Sequence, residues 1–500
     1  MLLSFDNKKA AIALYRLMIR ILKYFLCATL AVIVIACTDD DSFTASPNNR
    51  LTFSTDTVRM DTVFSSVPTS TRTFWVYNRS GDGIRCLSVG LERGNQSGFR
   101  VNVDGSYLGS SSGYQVSDIE VRDKDSIRVF VELTSPLNHG NTPQKIEDNL
   151  VFRLESGIEQ KVNLNAWSWD ADMMRDVVVE SDMTIGGDVP VIIYGGIVVR
   201  EGATLTLNDG VTLYFHDGAG IDVYGRLVVN GTAEKNVVLR GDRLDRMFDY
   251  LPYDHVSGQW KGIRFHEKSY ENIIDYADIH AACDAIVCDS SDVTRMKLLL
   301  SNSIVHNSKG YGVEAVHSNV DIRNCQITNS LNDCLAVYGG KVSVWHCTLA
   351  QFYPFDAARG MALRFTNYRD EHVYPLQDFT CVNTIVTGYA DDVLSGASKD
   401  ETTAFSWQFS HCLLRTPQPE TDLEKMVEVV FEDPEDTTVY GVKNFEKIDD
   451  ELLRYDFRLS GVSKAVGTAD KENFLEYDRL GIRRKESAPD MGCYTYRAKE

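Results

Sequence analysis

The chain has 500 residues, is 43% hydrophobic and carries a formal charge of -20. That length divides into two or three domains rather than one core. The acidity argues against nucleic acid and anionic lipid head groups as partners.

The first 36 residues run the other way, with Lys8, Lys9, Arg16, Arg20 and Lys23 against one acid, Asp6. "MIRILKYFLCATLAVIVIAC", residues 18–37, joins a basic start to an apolar run too short and too early for an ordinary membrane span. It closes on "VIAC", Val34 to Cys37, and then turns polar in "TDDDSFTASPNN". The expected organisation is a signal segment over 1–36 and a tether over 37–49. Residues 50–170 alternate in short runs such as "RTFWVYN", "FRVNV", "SIRVFVEL", "NLVFRL" and "KVNLNAW", bounded by Gly, Ser, Asn or Asp. β-branched and aromatic residues at period two, with no helical stretch between them, predict a β-sandwich. Only Cys86 falls inside it, so no disulfide can join its sheets.

From about residue 171 a different rule takes over. "GGIVVREGATLTLNDGVTLYF" returns 24 residues later as "AGIDVYGRLVVNGTAEKNVVL", matching Ile197 to Ile221 and Val199 to Val223, with 177–179 as the opening strand. Further on, a polar residue and a small one precede an apolar pair. The small position falls at Ala277, Ser303, Cys325, Cys347, Thr384 and Cys412, a base step of 22 with insertions. That is a solenoid period. Three short strands per repeat, parted by Gly, Asn, Asp and Ser, predict a parallel β-helix over 171–425, with closing coils and a cap over 426–500. The small residues form an inward ladder, and Asn302, Asn324 and Asn383 beside them suit a left-handed turn. The nine cysteines beyond Cys37 show no zinc spacing and read as free thiols.

Three resemblances extend this reading. "VIAC" resembles the lipobox of bacterial lipoproteins, which implies diacylation at Cys37, attachment to the outer membrane and, from Asp39, Asp40 and Asp41, display at the cell surface. Residues 50–170 resemble the immunoglobulin-like modules of such proteins. Residues 175–495 resemble the right-handed parallel β-helix superfamily that includes pectin lyases. "YDFRLSGVSKAVGTAD" and "RRKESAPDMGCYTY" are similar to its closing segments, with Lys464 for the usual proline and Cys493 for the usual alanine. The all-β fold expected is an Ig-like β-sandwich followed by a right-handed parallel β-helix.

The superfamily implies either carbohydrate binding or one of three chemistries: Ca²⁺-assisted lyase, paired-aspartate hydrolase or methylesterase. The hydrolase motifs are incomplete. Asn383-Thr384 precedes Ile385 rather than an aspartate, and Asp391-Asp392 reads as solvated turn. His280, His306, His317, His346, His372 and His411 show no metal spacing. No catalytic residue, metal ligand or cofactor is assigned; Ca²⁺ enters only with a lyase. Function on a solenoid concentrates in its insertions. The two insertions, 242–260 and 351–378, offer Trp260, Tyr353, Arg359, Arg364, His372 and Tyr374 as ligand-binding residues, with Arg359 and Arg364 as a basic patch. Packing of the loop aromatics is the competing reading. The function expected is a lipid-anchored, non-catalytic glycan-binding or adhesive surface protein, partnered by a membrane and a polysaccharide. The alternatives are a polysaccharide lyase or glycosidase on uronate-containing glycans, and a structural part of an outer-membrane assembly. Asp56-Thr57-Val58, Asp61-Thr62-Val63, Asp125-Ser126-Ile127 and Asp436-Thr437-Thr438 resemble O-glycosylation sites of some Gram-negative surface proteins.

Overall fold

The computed structural model describes residues 42–498 apart from 141 and 249, together with Tyr15 and Met18. Apart from Tyr15 and Met18, the expected signal segment over 1–36 lies outside the described residues, as does Cys37. No helix among those described is long and apolar enough to cross a membrane. The chain divides into two compact units. The first is built from residues up to 60, 68–136 and 146–166; the second takes in 61–67, 137–145 and everything from Trp167.

Two five-stranded sheets make the N-terminal part, and their described pairings are antiparallel. Arg72–Asn78, Phe99–Val103 and Ser126–Leu133 form strands over the same spans the alternating pattern marks. The reason is visible in their burial. Phe74, Val76, Val101, Val129 and Val131 face inward while the residues between them stay more open. Phe53 of one sheet meets Phe152 of the other with ring centroids 5.1 Å apart. Cys86 is buried and unpaired, so apolar packing rather than a disulfide joins the two layers.

The second unit holds a continuous array of 26 paired strands. Each coil contributes one strand to each of three parallel sheets. In one complete coil, Ile304–Ser308 lies in the first sheet, residues 313–316 in the second and 320–323 in the third. The register agrees with the repeat: Ile197 stands over Ile221 and Val199 over Val223, with 177–179 beneath 197–199. Inward side chains from all three sheets fill one long apolar core running from Val179 to Leu414.

The polar-small step is the corner between the third sheet and the first. Tyr276, Asn302, Asn324, His346, Asn383 and His411 all have φ between 48° and 53°. One left-handed residue turns the chain without using extra length. The next side chain caps the corner from inside: Ser303 Oγ donates to the Ser301 carbonyl at 2.7 Å, Cys347 Sγ to Trp345 at 3.3 Å, and Thr384 Oγ1 to Val382 at 2.9 Å. Ser303, Cys325, Cys347, Thr384 and Cys412 are buried in one ladder, since the strands on either side of each stack in register. All nine described cysteines are free.

The last coil strands are Met426–Val427 and Val430–Phe431. Beyond them the chain turns back along the coils, reaching Asn236 and Asn324. An antiparallel hairpin, Phe445–Asp449 with Arg454–Leu459, and the tail through Tyr494 cover the outer face of the first sheet. Arg484 is fully buried here and donates to Asn324 Oδ1 at 2.8 Å and to the Gly492 carbonyl at 3.0 Å. The asparagine corners thus serve twice, as turn residues and as the rail on which the tail is fastened.

Candidate functional site

The second sheet keeps an open outer face. Val287, Glu314, Ala336, Arg364 and Ser395 occupy one column on successive coils. Parallel stacking sets them one above another, and each alternates with inward residues such as Ala315, Val337 and Phe365. A groove of about 430 Å³ lies here, lined by Tyr311, Asp333, Tyr338, Arg364, Tyr368 and Arg369 among others.

Two arginine–carboxylate pairs shape it. Arg364 grips Asp333 with two bonds, Nε to Oδ2 at 2.6 Å and Nη2 to Oδ1 at 3.2 Å. Asp333 is buried, and its Oδ1 also accepts the Met361 backbone N–H at 2.7 Å. The hydrogen bonds to Asp333 push Arg364 above its ordinary value, against burial. Arg369 Nη2 lies 2.9 Å from Oε1 of Glu314, which is buried as well. Burial pushes the Glu314 carboxyl above the usual range, and the Arg369 guanidinium only partly offsets this. Tyr338 Oη sits 3.3 Å from Tyr311 Oη at the floor, and the Arg369 guanidinium lies over the Tyr338 ring.

The structure separates the residues singled out in the sequence. Arg364 is in the groove. Tyr374 is half-buried against the Val316–Ala336–Tyr338 cluster beside it, and exposed His372 stands 6.4 Å from the Tyr374 ring. The other three are corrected. Trp260 is 1% exposed, stacked on Phe215 inside the coil, with its Nε1 donating to the His280 carbonyl. Tyr353 is 4% exposed and hydrogen-bonds Ser257. Trp260 holds its insertion to the coils and Tyr353 ties the two insertions together, so both are buried as anchors. Arg359 lies over Tyr389, part of the cluster packed against the C-terminal hairpin, so it makes no basic patch with Arg364. Arg364 itself is neutralised by Asp333. In the first insertion it is Phe248 and Tyr250 that stay exposed, stacked at 5.8 Å. Asp391 and Asp392 are solvated: one pairs loosely with Arg415, the other accepts the Leu394 N–H.

Two histidines were missed. His280 and His306 are 26 residues apart and fall at one register position on adjacent coils of the first sheet, with rings 4.8 Å apart. Each follows a left-handed corner by four residues, Tyr276 and Asn302. Alignment on those corners, rather than the search for short metal motifs, would have paired them. His306 also lines a cavity of about 620 Å³ between the first sheet and the C-terminal segment, with Gln326, Asp456, Arg458 and Arg479.

The coils thus define the parallel β-helix class of protein. The family model described as "Right handed beta helix region" matches residues 188–351, which fixes the fold of that stretch. This family is compatible with carbohydrate-related or adhesive roles. No curated protein matches the chain.

Proposed function

We propose that the protein is a lipid-anchored surface protein that binds a polysaccharide, without turning it over, in the groove on the second sheet. One observation carries this reading: buried acids hold two arginines in place beside half-buried tyrosines on a face the C-terminal segment leaves open. Of its five N–H donors, Arg364 spends two on Asp333 and one on Ser395 at 3.3 Å, leaving two for a hydroxyl or carboxylate. Tyr311 and Tyr368 supply ring faces suited to sugar. A lyase would ask Arg364 to take up a proton, and its two hydrogen bonds to the Asp333 carboxylate, which favour the charged guanidinium, oppose that role. Hydrolysis would need a free acid and base, and both oxygens of Asp333 are already engaged.

A panel of polygalacturonate, alginate, xylan and starch tests the reading by affinity electrophoresis. Binding to at least one, lost in Tyr311→Ala/Tyr368→Ala with the fold intact, is the expected result. Release of product, with or without Ca²⁺, would favour the lyase or glycosidase alternative. The anchor is tested separately: palmitate labelling should occur and should vanish in Cys37→Ser.

A further inference from the structure

On the first sheet, away from the groove, three side chains converge on one point. His280 Nδ1 lies 2.9 Å from Asp278 Oδ1, and His306 Nε2 lies 3.2 Å from the same oxygen. The three donor atoms all fall within 4.8 Å of one another. Two donors about 2.1 Å from a tetrahedral ion stand about 3.4 Å apart; an ion therefore needs the two pairs to Asp278 to open by a few tenths of an ångström and the two histidine nitrogens, within 4.8 Å of each other, to close toward it. The far side of His280 is organised too. Its Nε2 faces Asp254 Oδ1 at 2.8 Å, and Arg240 Nη1 pairs with that oxygen at 2.6 Å. A carboxylate on the non-ligating nitrogen is the usual means of fixing a metal-bound histidine. His280 is nearly closed off, whereas Asp278 and His306 keep about a quarter of their side chains exposed. Through His306 the cluster borders the 620 Å³ cavity.

We propose that Asp278, His280 and His306 bind a divalent transition ion of the zinc class, with Asp254 orienting His280. Two imidazoles and one carboxylate are the donor set such ions prefer over Ca²⁺ or Mg²⁺. Three protein ligands leave a coordination position for solvent or for a group entering from the cavity. The site owes nothing to the polysaccharide groove, so either can fail without the other.

The test uses the full chain, stripped with EDTA and titrated with Co²⁺ and then Zn²⁺, folding being followed by circular dichroism. One equivalent of Co²⁺ with visible tetrahedral absorption, displaced by Zn²⁺ and absent in His306→Ala, is expected. Asp254→Asn should keep the spectrum and weaken affinity about 10- to 100-fold. Folded protein that takes up no Co²⁺ would overturn the proposal, leaving His280 as an imidazolium between two carboxylates. Undiminished binding by His306→Ala would overturn it equally.

Discussion

The outer faces of the first and second sheets share one backbone geometry and have opposite fates. On the first, Thr348, Ile385 and Leu413 point away from the core, and the C-terminal segment covers them with Phe445, Phe457 and Cys493. On the second, the corresponding outward column carries Glu314, buried beside Arg369, and Arg364, which keeps part of its side chain exposed in the groove. A β-helix buries its inner residues whatever lies outside. The outward residues therefore decide whether a face becomes a second core or a binding surface.

That contrast can be broken most severely at the covered face. Phe352 is fully buried against Tyr389, Phe445 and Phe457. Phe352→Ala should cost about 3–5 kcal/mol and free the C-terminal hairpin to limited proteolysis. Equal protease resistance would mean that the cover is held elsewhere. On the open face, Arg364→Ala should cost about 3 kcal/mol, because it strands the buried Asp333 carboxylate. Adding Asp333→Asn should recover much of that loss in urea unfolding. Without such recovery, the pair is not what holds the groove. Arg364→Ala alone is thus a poor probe of binding, since it disturbs the groove wall as well as the ligand.

Smaller effects separate corner from face. Asn302 sits at φ 48° and donates to Asp275 at 2.8 Å. Asn302→Ala should be less stable than Asn302→Gly by about 1 kcal/mol, since only glycine accepts that backbone freely. Equal stability would show that the corner tolerates a Cβ and that the asparagine serves the ladder alone. The smallest effect is a pH dependence. Glu314 has its folded value raised above about 4.5, so its contribution is fully present below that pH and is lost as pH rises through the folded value. Melting temperatures of the protein and of Glu314→Gln should therefore move apart in Gln's favour between about pH 4 and about pH 7. A constant difference would mean that Arg369 offsets burial completely.

Much of this architecture was legible in the residues themselves. Period-two alternation marks the strands of the sandwich, because each strand has one wet and one dry side. The step of 22 marks the coils, because every coil needs a corner and a small residue inside it. Ser303, Cys325 and Cys347 fall in one column for that reason. The site was far less legible. Asp333 and Arg364 are 31 residues apart, and Glu314 and Arg369 are 55 apart, pairings made by stacking across an insertion rather than by local spacing. Trp260 and Tyr353 look like ligand residues in a loop, and only three-dimensional packing reveals that they are anchors. The returning C-terminal segment was also hidden, since nothing in "PDMGCYTY" says which face it will cover.

Hydrogen–deuterium exchange of the full chain, with and without the tightest-binding polysaccharide of the panel, tests the central claim most directly. Protection confined to residues 311–316, 333–338 and 364–370 is the outcome the open second-sheet face requires. Protection over 453–458 and 479–480 instead, or no polysaccharide bound at all, would contradict it.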